Sequence, residues 1–96
     1  MYAHYFMMKL GPGMRPVGEK LADQMAPTMK TAKGFKGVTF FGDFAVGDYG
    51  VLSLWDTRED CESVLEASQS HIEQDLAGIV KEPPVMKFFE VYEPKP

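Results

Sequence analysis

The first ten residues, 1–10, read "MYAHYFMMKL", and their pattern decides how the sheet of this protein must be covered. Aromatic and long apolar residues dominate the stretch, which predicts a β-strand over residues 2–10. Successive side chains of a strand point to opposite faces of the sheet. One predicted face carries His4, Phe6, Met8 and Leu10. The opposite face carries Ala3, Tyr5 and Met7. This strand is therefore apolar on both sides.

A helix is predicted after this strand. Two glycines around a proline at 11–13 end the strand, and Pro16 suits the first turn of a helix. Apolar residues then recur at helical spacing up to Gly34, the expected stop. Pro27 lies inside this pattern and removes one backbone donor, so it predicts a kink or a break of the helix.

A β-hairpin follows the first helix. The apolar segments 37–46 and 49–55 are predicted as the second and third strands. Gly47 and Asp48 lie between them, and this dipeptide predicts a two-residue hairpin turn.

The second helix and the last strand complete the pattern. Thr57 and Asp60 approximate a capping box at the start of the helix. The prolines in residues 82–84 end the helix, and residues 85–93 are the predicted fourth strand. The acidic residues of this helix, Glu62 and Glu66 among them, are predicted to face solvent.

The order β-α-β-β-α-β predicts a ferredoxin-like α+β fold over residues 1–96 as a single domain. In this fold a four-stranded antiparallel sheet carries both helices on one face. The later strands are also apolar on both sides, as the adjacent Phe40 and Phe41 show. Because the helices cover only one face, we predict a homodimer in which two sheets pack face to face around a barrel-like core. The alternative is a monomer with loose patterning and solvent-exposed aromatic side chains.

Composition excludes several classes of function. The net charge is −4 and the pI about 5.0, which favours neither nucleic acid nor an anionic membrane surface as a partner. No apolar run approaches the ~18 residues that span a bilayer, and no charged segment precedes the first strand as in a secretory signal. The single cysteine, Cys61, excludes an internal disulfide and is typical of the reducing cytoplasm, where we expect the protein.

Three segments carry a resemblance to a known family. They are "GFKGVTFF" at 34–41, "VLSLWDTREDCESVLEASQSH" at 51–71 and "EPPVMKFFEVYE" at 82–93. Together they resemble the antibiotic-biosynthesis-monooxygenase-like proteins of the dimeric α+β barrel superfamily. The matching features are the glycine-led aromatic strand, a tryptophan that ends the next strand, and a Ser-x-x-His element from Ser68 to His71. The resemblance implies a dimeric α+β barrel with a ligand pocket between the sheet and the helices.

The resemblance also bears on cofactors. Haem-degrading relatives use an asparagine on the first strand, and a tryptophan and a histidine on the second helix. In this sequence His4 occupies the asparagine position, Val64 or Leu65 the tryptophan position, and Gln74 or Asp75 the haem-ligand position. The chain contains no asparagine at all. We therefore expect neither haem degradation nor another cofactor.

Four residues are candidates for catalysis or substrate binding in the predicted pocket. His4 is the candidate catalytic residue, because a histidine with a shifted pKa can take a proton from a phenol or hydroquinone. The alternative is a hydrogen-bonded structural histidine. Phe6, Trp55 and His71 are the candidate substrate-binding residues. Trp55 has the alternative of packing the sheet edge against the second helix, and His71 that of a packing or surface histidine.

Two further chemistries are not favoured by the sequence. Cys61 lies on the apolar stripe of the second helix, which indicates a buried inert thiol rather than a nucleophile. The two histidines have no metal-ligand spacing, so no metal site is predicted.

Three functions remain open from the sequence. The first is a cofactor-independent monooxygenase or oxidoreductase that acts on a small aromatic or quinol-like substrate. The second is a non-catalytic module that binds a small aromatic ligand or takes part in a stress response. The third is an isomerase or lyase in which His4 is the general base, and it requires no oxygen.

Overall fold

Four strands and two helices follow one another in the predicted order. The computed structural model describes residues 1–76 and 82–95, with side chains of the second helix described through Ser68. The elements are β1 Tyr2–Lys9, α1 Arg15–Lys30, β2 Phe35–Asp43, β3 Asp48–Trp55, α2 Arg58–Leu76 and β4 Val85–Glu90.

The sheet has the strand order β2-β3-β1-β4, and all its neighbours are antiparallel. β1 lies at the centre and pairs with both β3 and β4. The register places His4 opposite Ser53 on one side and opposite Phe88 on the other. The predicted ferredoxin-like α+β fold is confirmed.

One face of the sheet carries the core. The even-numbered residues of β1 from His4 to Met8 are buried on this face, as their alternation predicted. Phe6 and Met8 pack with Leu21 and Met29 of α1 and with Cys61 of α2. Both helices therefore cover this face, which we call the inner face.

The opposite, outer face is much less buried. It carries four large apolar side chains that are 40–49% exposed, namely Phe41, Leu52, Val85 and Phe89. The Tyr5 ring stacks on Phe41, with ring centroids 6.3 Å apart. Apolar side chains thus run across this face without a cover from the described part of the chain.

The hairpin between β2 and β3 differs from its prediction. β2 begins at Phe35 instead of residue 37 and ends at Asp43 instead of residue 46, and the turn occupies residues 44–47. The Phe35 and Trp55 rings pack edge to face with their centroids 5.5 Å apart, and the two residues are paired across β2 and β3. The strand pairing is thereby extended at this end of the hairpin. At the other end the Asp43 carbonyl accepts a hydrogen bond from Gly47 N at 2.9 Å and closes a longer turn. The predicted two-residue turn at Gly47-Asp48 is therefore wrong.

Gly47 has a structural role at the end of this turn. Its φ is +83°, a conformation that favours glycine, and a β-carbon at this position would collide with the backbone of Gly11. Its carbonyl accepts hydrogen bonds from Leu10 N at 2.9 Å and from Gly11 N at 3.3 Å. The turn is thereby tied to the end of β1.

Helix α1 continues through Pro27. Of the two outcomes predicted there, the break does not occur, because the helix runs from Arg15 to Lys30. Pro27 removes the donor that would bond the carbonyl of Asp23, an exposed residue that water can reach. Only one turn follows before the helix ends, and Gly34 with φ +78° lies in the connection to β2.

The other boundaries follow the sequence more closely. Helix α2 begins at Arg58, and Thr57 Oγ1 accepts a hydrogen bond from Asp60 N at 3.2 Å, as the predicted cap requires. β4 ends at Glu90 instead of residue 93, although Val91 N still donates to the Met1 carbonyl at 3.0 Å. The predicted helix stop at 82–84 follows residues 77–81, which lie outside the described residues.

Candidate functional site

A cavity of about 350 Å³ lies between the inner face of the sheet and the two helices. Strand residues form its floor, namely His4, Phe6, Val51, Met86 and Phe88. Helix residues form its walls, namely Met25 and Met29 of α1 and Glu62, Leu65 and Glu66 of α2. Pro84 completes the lining. The lining is predominantly apolar, which suits an apolar or aromatic ligand.

His4 is the buried polar residue of this cavity. Its side chain is almost completely buried, because β1 is a central strand and His4 lies on its covered face. The Nε2 atom has no hydrogen-bond partner among the described residues. A buried polar atom without a partner is uncommon and costs free energy, so it suggests that a ligand supplies the partner.

Burial also sets the protonation state of His4. Desolvation penalises the charged imidazolium and lowers the pKa of His4 below its usual value of 6.5. The ring is therefore mainly neutral at pH 7, the form that can accept a proton. A neutral imidazole in an apolar cavity can act as a general base toward a phenolic hydroxyl.

Phe88 joins the histidine to the charged rim of the cavity. Its ring centroid lies 4.8 Å from that of His4 and 4.3 Å from the guanidinium carbon of Arg58. Arg58 in turn forms an ion pair with Glu62, with 2.7 Å between Nε and Oε1. The positive charge of Arg58 is thus paired with a carboxylate at the rim of the cavity. The site therefore favours a neutral ligand over an anion.

The structure brings Phe6 to the cavity but not Trp55. Phe6 lies next to His4 on the inner face and lines the floor. Trp55, predicted to contact substrate, lies in the core with 1% of its surface exposed and is not part of the cavity lining. Its indole nitrogen donates a hydrogen bond to Ser53 Oγ at 2.9 Å. The Trp55 ring thus packs in the core at the sheet edge, as in the alternative, and its contact with a substrate stays a prediction.

The remaining candidates of the second helix are only partly described. His71 belongs to α2, as do Gln74 and Asp75, the two positions that the resemblance relates to a haem ligand. Their side chains lie outside the described residues. The pocket role of His71 stays a prediction.

Cys61 has the environment of an inert thiol. It is buried in the core, and burial, followed by the nearby charge of Glu62, raises the pKa of its thiol to about 11. A thiol that stays protonated at neutral pH is a poor nucleophile.

The described part of the chain contains neither a group of metal-binding side chains nor a membrane-spanning helix. Within it, no group of three or more histidine, cysteine and carboxylate side chains could hold a metal ion. None of its helices is long and apolar enough to cross a membrane.

Several residues that line the cavity are not among the site residues predicted from the sequence. Phe88 alternates with Met86 along β4, and Met25 and Met29 lie one helical turn apart, so strand and helix periodicity could have placed them. Glu62 and Glu66 were predicted to face solvent. They lie at the rim, where the cavity borders on the exposed side of α2.

Comparison with known proteins gives fold relatives only. No family model matches the chain, and no curated protein matches its sequence. A candidate antibiotic biosynthesis monooxygenase from Nitrosomonas europaea has a TM-score of 0.83 at 11% identity, over 99% of this chain and 93% of that one. A candidate enzyme of the same type from Bordetella bronchiseptica has a TM-score of 0.76 at 18% identity, over 96% of this chain and 97% of that one.

A third solved structure shows a different ligand on a similar fold. A mutant of MhuD, with two manganese protoporphyrin IX molecules in each active site, has a TM-score of 0.74 at 17% identity. The match covers 100% of this chain and 99% of MhuD. The resemblance predicted from the sequence is thus confirmed at the level of architecture: the chain has the fold of the antibiotic biosynthesis monooxygenase-like proteins.

Proposed function

We propose that this protein is a cofactor-independent monooxygenase that acts on a small aromatic or quinol-like substrate in the cavity beside His4. The observation that carries the proposal is that His4 lines an apolar cavity and that its buried Nε2 atom has no partner in the described structure. The names of the solved structures with this fold support the same type of reaction.

The proposed reaction starts with proton transfer. His4 accepts the hydroxyl proton of a bound phenol, and the resulting phenolate passes one electron to O₂. The superoxide then bonds to a ring carbon ortho or para to the hydroxyl that carries a hydrogen, and loss of water converts that carbon to a carbonyl. A phenol and O₂ thus give a quinone and water, and all four electrons that reduce O₂ come from the substrate.

The surroundings of His4 favour this chemistry. Apolar walls limit the access of water to the phenolate and to the reduced oxygen species. Phe6 and Phe88 provide ring surfaces on which a flat substrate can pack. The protein's own part is thus to bind the ring, orient its hydroxyl toward Nε2 and hold the proton.

Oxygen uptake tests the proposal. A panel of phenols and hydroquinones is incubated with wild-type protein, with His4→Ala and with the surface control Lys9→Ala, which lies on the same strand. We expect wild type and Lys9→Ala to consume oxygen and His4→Ala to lose at least about a hundredfold of the rate, the usual contribution of a general base. Added imidazole is expected to restore part of the activity of His4→Ala.

The other functions give different results in the same experiment. A ligand-induced rise in melting temperature without turnover indicates the non-catalytic binding module. Product formation without oxygen indicates the isomerase or lyase. Undiminished oxygen uptake by His4→Ala contradicts the role of His4.

We also propose that the outer face of the sheet forms a homodimer. Phe41, Leu52, Val85 and Phe89 together give this face an apolar patch larger than isolated surface residues produce. A second copy of the same face is apolar in the same way and would bury the patch by a twofold interface. Light scattering at micromolar concentration should give twice the mass of one chain, and the mass of a single chain would contradict the dimer.

A further inference from the structure

A second cavity adjoins the one that contains His4. It has a volume of about 180 Å³ and lies between α1 and the other end of the inner face. Its lining is mainly apolar and includes Ala22, Phe40, Phe44 and Tyr49. It holds no residue of the proposed catalytic chemistry.

The two cavities share three lining residues. Phe6 and Val51 are directly paired across β1 and β3, and they belong to the floor of both cavities. Met25 of α1 lies over the same point and belongs to both linings. Because methionine is unbranched and flexible, its side chain can change rotamer and connect the two spaces.

The second cavity has its own buried polar atom. Tyr49 is 6% exposed, and its hydroxyl oxygen has no hydrogen-bond partner among the residues described. The position of its ring is constrained, since a β-carbon at Gly18 would lie 2.7 Å from two ring atoms. Tyr49 lines this cavity, so its hydroxyl is a candidate donor to an oxygen of a ligand.

Charge restricts the kind of ligand. Within the described structure, no lysine or arginine lines either cavity, and the carboxylates are Glu19 in the smaller cavity and Glu62 and Glu66 in the larger one. An anionic ligand would find no counter-ion in these linings. A neutral molecule with an apolar body is favoured.

We propose that the two cavities form one elongated site for a neutral, extended aromatic molecule with a polar group at each end. One end meets His4, and the other accepts a hydrogen bond from the Tyr49 hydroxyl. This inference rests on the proposed function, because it specifies the substrate class of the same site. Tyr49 is a specificity residue in this arrangement and takes no part in the proton transfer.

Three phenols of graded length test the inference. Hydroquinone has one ring, 4-hydroxybiphenyl has two rings and one hydroxyl, and 4,4′-dihydroxybiphenyl has a hydroxyl at each end. Dissociation constants are measured by calorimetry for wild type, Tyr49→Phe and Ala22→Leu, with Gln24→Leu as an exposed control on the same helix. Thermal melting of each variant shows that it is folded.

Wild type is expected to bind the dihydroxybiphenyl most tightly. Tyr49→Phe should reduce its preference for the second hydroxyl by about fivefold to tenfold, the effect of one lost hydrogen bond. Ala22→Leu fills the smaller cavity and should reduce the preference for the biphenyls over hydroquinone by about tenfold or more. Gln24→Leu should keep the wild-type ratios.

Two outcomes overturn the inference, and they differ in what they say of the proposed function. If hydroquinone binds but Tyr49→Phe and Ala22→Leu leave the ratios unchanged, the cavities do not form one site and the proposed function stands. If none of the phenols binds the wild-type protein, both fail.

Discussion

The two faces of the sheet are built from the same strands and are both apolar, yet they differ in burial. On the inner face Phe6 and Val51 are only 7% and 6% exposed. On the outer face Leu52 and Phe89 are 40% and 49% exposed. The helices account for this difference, since both lie on one side.

The difference teaches that apolar character alone does not indicate where a core lies. The inner face combines deep burial with two polar atoms that lack partners in the described structure, on His4 and Tyr49. The outer face combines exposure with several large apolar side chains. Buried polar atoms without hydrogen-bond partners suggest a ligand on the inner face. Exposed apolar side chains suggest a protein partner on the outer face.

The largest expected effect comes from a charge on the outer face. Leu52 lies on an interior strand of the sheet, so Leu52→Lys would place two like charges within the proposed twofold interface. An unpaired buried charge costs about 3–5 kcal/mol, which weakens dimerisation by at least about a hundredfold. Light scattering should show monomers for Leu52→Lys and dimers for the exposed control Gln24→Lys. Dimers of unchanged affinity for Leu52→Lys would contradict the interface.

Truncation of the inner core has the next largest effect. Trp55→Ala removes a fully buried ring and should lower the free energy of unfolding by about 3–5 kcal/mol. Tyr92→Ala, at a residue 76% exposed, should change it by less than about 0.5 kcal/mol. Urea denaturation measures both values. Equal effects of the two variants would contradict the described position of Trp55.

A pair of buried polar residues should respond in opposite directions. His4 and Ser53 are paired across β1 and β3, but only Ser53 has a partner in the described structure, the Trp55 indole. His4→Leu should raise the free energy of unfolding by about 1–2 kcal/mol because it removes an unsatisfied atom. Ser53→Ala should lower it by about 1 kcal/mol, since it leaves the indole without its acceptor. The same denaturation experiment decides, and a destabilised His4→Leu would mean that His4 has a structural partner.

The smallest effect is the pH dependence of stability. The pKa of His4 is lowered by burial, so below pH 6.5 the unfolded chain binds a proton that the folded chain resists. The contribution of His4 to stability should therefore be constant above pH 6.5 and decrease as the pH falls toward the folded pKa. The decrease is at most about 1.4 kcal/mol for each pH unit.

Melting temperatures between pH 7.5 and 5.5 measure this contribution. His4→Leu should show a flatter profile than wild type, whereas His71→Gln, a change of the other histidine, should keep the slope that His4 causes. Identical profiles for wild type and His4→Leu would show that the folded and unfolded pKa values of His4 do not differ.

Most of the fold could be predicted from local patterns. Strand alternation placed His4 and Phe6 on the same face of the sheet, and Thr57 marked the start of α2 through its hydroxyl. Turn length was harder, because the pairing of Phe35 with Trp55 and the contact of Gly47 with the end of β1 are tertiary. The choice between a kink and a break at Pro27 was also beyond local pattern, since packing of the surrounding turns outweighs the loss of one hydrogen bond.

The residues of the candidate site likewise differ in whether local sequence patterns could identify them. His4 could be selected from the sequence, since it is a histidine within an apolar strand. Trp55 could not be assigned, because its position at a strand end fits both a core ring and a pocket ring. Only the bond to Ser53 and its burial decide for the core. Periodicity places Phe88 on one face of β4, but its contact with His4 joins segments that are distant in sequence, as does the cavity lining that contains Tyr49.

The sequence by itself determined the order of elements, the two-sided apolar strands and the presence of one histidine among them, since these follow from residue type and periodicity. Only the tertiary structure decided which apolar face is covered, which rings line a cavity and which buried polar atoms lack a partner in the described part of the chain. The physical reason is that burial and hydrogen-bond satisfaction depend on contacts between segments far apart in the chain, which periodicity does not contain.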